Sequence, residues 1–590
     1  MTKRNTKSKC TRAKILLKKA TAFVMAFLLA LSVPIALPMP FGASVDLPFD
    51  SGVITVKAEY AVINKPMENA VMNWVNSEIK EGRTGIVGHE FEIGDCDEFR
   101  FFSAYVSNCH MVTACAILKC SPSGIKTDTT QESWLKIKSW LPIGTAQHPY
   151  RGTFSGLHKS GDDGIYRQKI SGTFLIDGQG EYQGIFGYVA KDATVKYVEV
   201  DNDSTVTGSA VAYGGIAGVN YGTIDNCGVP GVKVSGYGSE SYHATQVEAC
   251  VGGIAGINYG TVKNCTVSGE TLVLGPKNVG CFVGINYGTV SDCIRLNGAP
   301  DPLLNEHRQD LLMQNGICVG GIVGTNYGTV ERCENQALVV GKEKVGGVVG
   351  ANYNTVKECS NSGRIIGGTR VPEDVDEVVV GSQVGGVVGM NAAEGTIENS
   401  FHFRSDSWGE WPYEDLKEGY ITATGASHVG CLVGQNEGKV ENCYYVGNCN
   451  DEGTVFDCQV GEEKSQKKFA SGEICYLLNN DVTDGSQAWY QDLTGEFVVG
   501  GKPLEYPCLE KTVGTVYASS PCAIYFSNHS EDEKITTVLP HEITLPWDKE
   551  THSVTCDTCH MTVRDKDTPE FDPTYKDIGN CETRFASPQS

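Results

Sequence analysis

The chain has 590 residues, 71 of them acidic against 48 basic, a formal net charge of −23, with 23 cysteines and 69 glycines. Such acidity excludes nucleic acid and anionic membrane surfaces as partners, because both would repel it. Its plain meaning is solubility, and weak cation binding is the lesser alternative.

The first residues predict export. Eight basic residues from Lys3 to Lys19 stand without a single acid, and an apolar stretch from Ala20 to Leu37 follows, broken by Pro34. This is the pattern of a secretory signal over 1–36, with Ala36, Ala43 and Ala58 as alternative cleavage neighbourhoods, the last as late as residue 58. The other reading is a retained anchor, since about 18 apolar residues are borderline for a span. Without residues 1–36 the chain keeps 40 basic residues against 71 acids, a net −31. No later stretch is apolar enough to cross a bilayer.

Residues 59–136 form an N-terminal segment with two expected helices. One covers Met67 to Glu81, where Val71, Trp74, Val75 and Ile79 fall near helical spacing. The other covers Asp97 to Asn108.

From 137 to 457 one unit recurs. VGGIAGINYGTVKNC ends at Cys265, and near-copies end at Cys227, Cys293, Cys333, Cys359, Ser400 and Cys443. Each is too short to bury a core alone, so the copies must stack on one another. Within a copy, small and apolar residues precede Asn-Tyr-Gly, and strict alternation follows it. The alternation is a strand pattern. Asn and Gly tolerate positive φ, so Asn220, Asn258, Asn286, Asn326, Asn352, Asn391 and Asn436 are read as tight structural corners.

The corner steps are 38, 28, 40, 26, 39 and 45 residues. The shortest fit one turn of a parallel β-solenoid with three short strands. The longer ones fit a turn plus an insertion, as the polar runs Asp301–Gln309 and Arg370–Glu377 suggest. A propeller blade needs roughly 40 residues or more, which the shortest steps exclude. Stacked copies would place Ile224, Val262, Val290, Val330, Val356, Ile397 and Val440 in one buried ladder about 4.8 Å per rung.

The pattern G-G-x-V-G-x-N-x-G-x-V-x-N-C resembles the GLUG repeat of bacterial secreted and surface proteins, some adhesin-like and some immunoglobulin-cleaving zinc peptidases. The resemblance spans roughly 95 to 520, including lead-in stretches such as Tyr150–Gly156 and Gly184–Val189. It implies an all-β, right-handed parallel β-helix, with the 97–108 helix covering its first turn. It also implies that 458–524, with a helix over Lys464–Asn480 and aromatics at Trp489, Tyr490 and Tyr506, closes the last turn. Residues 525–590 carry no periodicity and are expected to be an irregular acidic tail. The chain shows no wall-sorting signal or C-terminal apolar anchor.

Repeat cysteines fall on one ladder, with Cys281 and Cys431 on another. They read as small buried hydrophobes or as disulfides between adjacent turns, whose spacing lies within the allowed Cα range. Ser400 in the cysteine position suits a slot for a small residue. In the tail, Cys556, Cys559 and His560 make a C-x-x-C-H run. A structural knuckle or disulfide, a small zinc site with His541, His552 or Cys581, and covalent haem are its three readings; haem also demands a helical envelope that these flanks lack. No cofactor is expected, zinc at this cluster being the one candidate.

No catalytic residue emerges. Neither His89-Glu90 nor His541-Glu542 has the second histidine of H-E-x-x-H, so the peptidase chemistry of the resemblance does not carry over. G-x-S-x-G and phosphate-binding glycine loops are absent. The repeat acids Asp225, Asp292, Glu331, Glu358, Glu398 and Glu441 interchange with lysines, as on a solvated face, and Asp162-Asp163 reads as a turn. The expectation is a monomeric, non-enzymatic, adhesin-like surface protein for glycan or protein ligands. A carbohydrate-active β-helix is the alternative, needing two or three converging carboxylates. Trp408, Trp411 and Tyr413 are the expected ligand residues, either stacking on sugar rings or packing over the solenoid flank.

Overall fold

A computed structural model describes residues 65–528 with internal gaps, the longest being 128–139, 237–248, 297–315, 370–378, 404–420 and 448–456, together with two strands before residue 60. The signal segment 1–36, Asp162-Asp163, both polar insertions, Trp408, Trp411, Tyr413 and the tail with Cys556, Cys559 and His560 lie outside the described residues. The chain divides into two units, Met1–Tyr60 and Ala61–Ser590. In the first, Val45–Phe49 pairs antiparallel with Gly52–Val56.

The second unit is a parallel β-helix. Taking the Cys265 copy as reference, the chain runs through Cys250–Gly252, Ala255–Asn258, Thr261–Lys263 and Thr266–Ser268, then adds a short strand at Leu272–Leu274. It returns at Lys277–Gly280 beside Cys250–Gly252. Each position extends a parallel sheet along the coil. We name these the valine, asparagine, threonine and flank sheets, in chain order. The valine and asparagine sheets have eight strands each and the threonine sheet has eleven.

Four strands per turn, with a short fifth in the reference copy, replace the three expected. The apolar run before Asn-Tyr-Gly is two strands, because Gly252 and Gly253 fold it sharply. A Cβ at Gly252 would sit 2.0 Å from the Ala255 carbonyl oxygen.

The register is one residue type over its like. Ile224, Val262, Val290, Val330, Val356, Ile397 and Val440 are successive partners in the threonine sheet. All but Val440 are fully buried. Strict alternation puts each β-branched side chain on the inner face, where burial of apolar surface drives the stacking.

The threonine sheet begins earlier than residue 137. Phe91–Ile93 and Ala116–Leu118 already lie parallel at its head. Before them runs α1, Lys65–Lys80. It buries Val71, Trp74 and Val75, but Ile79 is 50 % exposed, and Glu78 takes the inner place instead. Arg83 explains the exchange: its Nε lies 2.7 Å from the Glu78 carboxylate, so the buried charge is paired.

Helix α2, Cys96–Ser107, starts where the Asp95 carboxylate accepts the Glu98 amide at 2.9 Å. Its Phe99 stacks on Trp140 at 4.6 Å and its Phe102 meets Phe154 at 5.7 Å, covering the first turns.

The C-terminal helix is two helices, α3 at Gln466–Ala470 and α4 at Glu473–Leu478, broken at Gly472 with φ 87°. They pack beside the last turn, where Asn442 donates to the Leu477 carbonyl at 2.8 Å and Tyr444 and Val446 share their core. Phe469, Trp489 and Tyr506 also pack on Phe401 and Phe403 along the flank sheet. The flank row reads Thr266, Ile294, Glu334, Ser360, Phe401, Tyr444, so its apolar end sits where the helices dock. Among the described residues, no helix is long and apolar enough to cross a membrane.

Candidate functional site

The corner asparagines end the strands of the asparagine sheet and point inward. Asn220, Asn258, Asn286, Asn326, Asn352 and Asn391 are fully buried. Each donates its Nδ2 to the Oδ1 of the next: 2.7 Å from Asn220 to Asn258, 2.8 Å onward to Asn286, and 2.9 Å onward to Asn326. The chain of amides continues through Asn352 and Asn391 to Asn436 at 2.9, 2.8 and 2.8 Å. Buried amides must be paired, and here each satisfies its neighbour.

Their backbone is not left-handed. Positive φ falls one corner later, at Asn226, Asn264, Asp292, Arg332, Glu358, Asn399 and Asn442, between 47° and 54°. The Asn-Tyr-Gly glycine serves close approach: a Cβ at Gly288 would lie 2.0 Å from the Gly260 oxygen of the preceding rung.

That left-handed residue always precedes the cysteine slot. The slot side chain folds back to donate to the carbonyl two residues earlier, 3.2 Å from Cys265 to Lys263, 3.1 Å from Cys293 to Ser291 and 3.2 Å from Cys333 to Glu331. Ser400 does the same to Glu398 at 2.7 Å. The repeat cysteines are free thiols. Burial pushes the thiols of Cys227, Cys293 and Cys359 well up, and that of Cys443 up to about 12. Of the second pair, Cys281 is a buried free thiol and Cys431 is disulfide-bonded.

Outside the corner stands a feature that the corner reading missed. Tyr221, Tyr259, Tyr287, Tyr327 and Tyr353 stack ring on ring, with centroids 4.4, 4.8, 5.1 and 4.7 Å apart and planes within 15°. Tyr188 extends the stack by one ring at 5.1 Å. Tyr259, Tyr287 and Tyr327 are 41, 45 and 41 % exposed, the most accessible aromatic stripe among the described residues. At the stripe's beginning, Tyr188 and Tyr221 pack on a small cluster of Ala212, Val219 and Cys250, with Ile257 and Ile285 beside them. Burial raises the phenols of Tyr188, Tyr259, Tyr287 and Tyr327, the last to about 12, so these four are uncharged at neutral pH.

Two positions further along each rung lies a threonine row. Thr194, Thr223, Thr261, Thr289, Thr329, Thr355 and Thr396 are register partners, partly exposed. Beyond them the acids and bases of the repeats pair across rungs. Lys263 reaches Asp225 at 3.5 Å, Lys357 reaches Glu331 at 2.8 Å, and Arg332 holds Asp292 at 2.7 Å. The expected solvated face is therefore a paired one over its central rungs, where Arg332 also meets Glu331 at 3.1 Å and Glu358 at 3.6 Å.

A family model described as the GLUG motif matches residues 248–273. The chain is a GLUG-repeat-containing protein. The matched segment is the Cys265 copy, so the GLUG unit is one rung of this coil, from its valine strand to its flank strand. No curated protein and no solved structure matches the chain. Among the described residues no group of three or more His, Cys, Asp or Glu side chains could hold a metal. The tail cluster of Cys556, Cys559 and His560 lies outside them.

Proposed function

We propose that this GLUG protein is an exported, non-catalytic surface protein that binds ligand along the outer face of its coil, adhesin-like in the broad sense. One observation carries the reading: a six-ring tyrosine stripe whose middle rings are 41–45 % exposed. Large exposed aromatic surface costs solubility and persists where it is used for binding. Tyrosine suits that use, with an apolar body and a polar tip. The repeat carboxylates of the central rungs are held in ion pairs, Asp292, Glu331 and Glu358 gathering on the Arg332 guanidinium at 2.7, 3.1 and 3.6 Å with Lys357 on Glu331 at 2.8 Å, and this engagement with counter-charges supports a structural role for them.

The test is binding of the full chain to a glycan array and to extracted surface proteins, beside a polysaccharide depolymerisation assay. Retention without new reducing ends or unsaturated products is expected. Release of such products would replace this reading with a carbohydrate-active enzyme. Fractionation of producing cells, with N-terminal sequencing of the exported form, checks the compartment; a chain retained inside would contradict it.

A further inference from the structure

The outer face is periodic, and periodicity constrains its ligand. Every rung from Tyr221 to Tyr353 offers one phenol edge and one threonine hydroxyl, repeated at the rung spacing. A folded partner presents no such repeat. An extended polymer lying along the coil axis meets the same groups again and again.

The chemistry of the stripe narrows the polymer further. Ring faces are taken up by neighbouring rings, so only ring edges and hydroxyls face outward. Next to them the charges are paired, and the whole chain carries −23. An anionic polymer is repelled and a cationic one finds no unpaired acid row. Addition of a peptide strand also fails along this face, because each inner strand already has partners on both sides.

We propose that the tyrosine–threonine face binds a linear, uncharged polysaccharide laid along the coil axis, one sugar meeting one rung, through hydroxyl hydrogen bonds and ring edges. This rests on the surface-binding reading above and names its ligand class. Each rung contributes weakly, so affinity comes from the number of rungs engaged at once.

Calorimetric titration of the full chain with β-1,4-linked glucose oligosaccharides of two to eight sugars tests it. Affinity is expected to rise about tenfold or more from two sugars to six and then level off, as the six-ring stripe fills. Paired substitution Tyr287→Phe with Thr289→Val keeps the stacking and the strand, and it should weaken six-sugar binding about tenfold with unchanged melting temperature. Affinity independent of length, equal binding of an anionic polysaccharide, or no response to the paired substitution overturns the proposal. A chain that captures surface proteins but no neutral oligosaccharide of any length overturns it too, while leaving the surface-binding reading standing.

Discussion

The rungs from Asn220 to Asn352 and the two that follow, at Asn391 and Asn436, share an interior and differ outside. Inside, the amide chain runs on unbroken into Asn391 and Asn436, and Ile397 and Val440 keep the strand register. Outside, the tyrosine position becomes Ala392 and then Glu437. The coil winds for two turns without tyrosines, so the ring stripe is not what holds it together. What repeats inward in every copy answers to winding; what stops partway answers to the surface.

The sharpest way to break this comparison is at the amide chain. Asn286 lies mid-coil, accepting from Asn258 at 2.8 Å and donating to Asn326 at 2.9 Å and to the Gly288 and Thr329 carbonyls at 3.1 Å. Asn286→Leu leaves several of these buried groups unpaired and should cost about 3–5 kcal/mol in urea unfolding. Asn436→Leu, at the half-buried end of the chain of amides, should cost only about 1 kcal/mol. Equal losses would mean that interior position does not set the value of the amide.

Alkaline pH separates the rungs by their slot residue. Unfolded thiols titrate near pH 8.5, whereas burial holds the folded Cys443 thiol up to about 12. Between these values the native chain binds more protons than the unfolded one, so stability falls as pH rises through that window and is flat below it. One such thiol should cost about 3 kcal/mol by pH 11, at 1.36 kcal/mol per unit. Cys443→Ser should flatten its share of that slope, as the Ser400 rung already does by having a hydroxyl. Unfolding curves at pH 8, 9.5 and 11 for both chains decide it; identical slopes would show the slot to be solvated.

How much of this was legible follows from the same division. The valine ladder could be read because alternation has period two and every copy keeps it. Strand number could not, since Gly252-Gly253 sits inside an apolar run and its fold depends on the Ala255 carbonyl approaching across the bend. Helical spacing groups Ile79 with Val71, Trp74 and Val75, while Glu78 owes its inner place to Arg83 beyond the helix end. Tyrosine recurs in plain sight after five of the seven corner asparagines. Only the rung register turns five spaced residues into one stripe. The docking side of α3 and α4 had a faint signal in Phe401 and Tyr444, the first aromatics in the flank row.

A smaller effect sharpens the claim that tyrosines are dispensable for winding. Tyr287 stacks on both neighbours, at 4.8 and 5.1 Å, and Tyr353 has one ring neighbour at 4.7 Å. Tyr287→Ala should cost about 1–2 kcal/mol and Tyr353→Ala about half of that, read as melting-temperature shifts with the strand signal in circular dichroism intact. Loss of that strand signal in either variant would make the ladder structural and remove the basis for assigning it to ligand.

The smallest effect is expected at the slot, and it tests why cysteine stands there. If the slot asked for a disulfide or a reactive thiol, serine would be a defect in the sixth copy. The geometry asks for less: a short side chain that fits beneath the next rung and donates to the carbonyl two residues back, over a left-handed residue. Cys333 meets it at 3.2 Å and Ser400 at 2.7 Å. Exchange in either direction, Cys333→Ser or Ser400→Cys, should therefore change stability by less than about 1 kcal/mol, sulfur gaining in burial what the hydroxyl gains in hydrogen bonding. Cys333→Val removes the donor at similar size and should cost about 1 kcal/mol, since the Glu331 carbonyl then keeps only the Asp292 amide at 3.2 Å. Were valine tolerated as well as serine, the slot would be selecting for volume alone, and the carbonyl bond would be incidental to the turn.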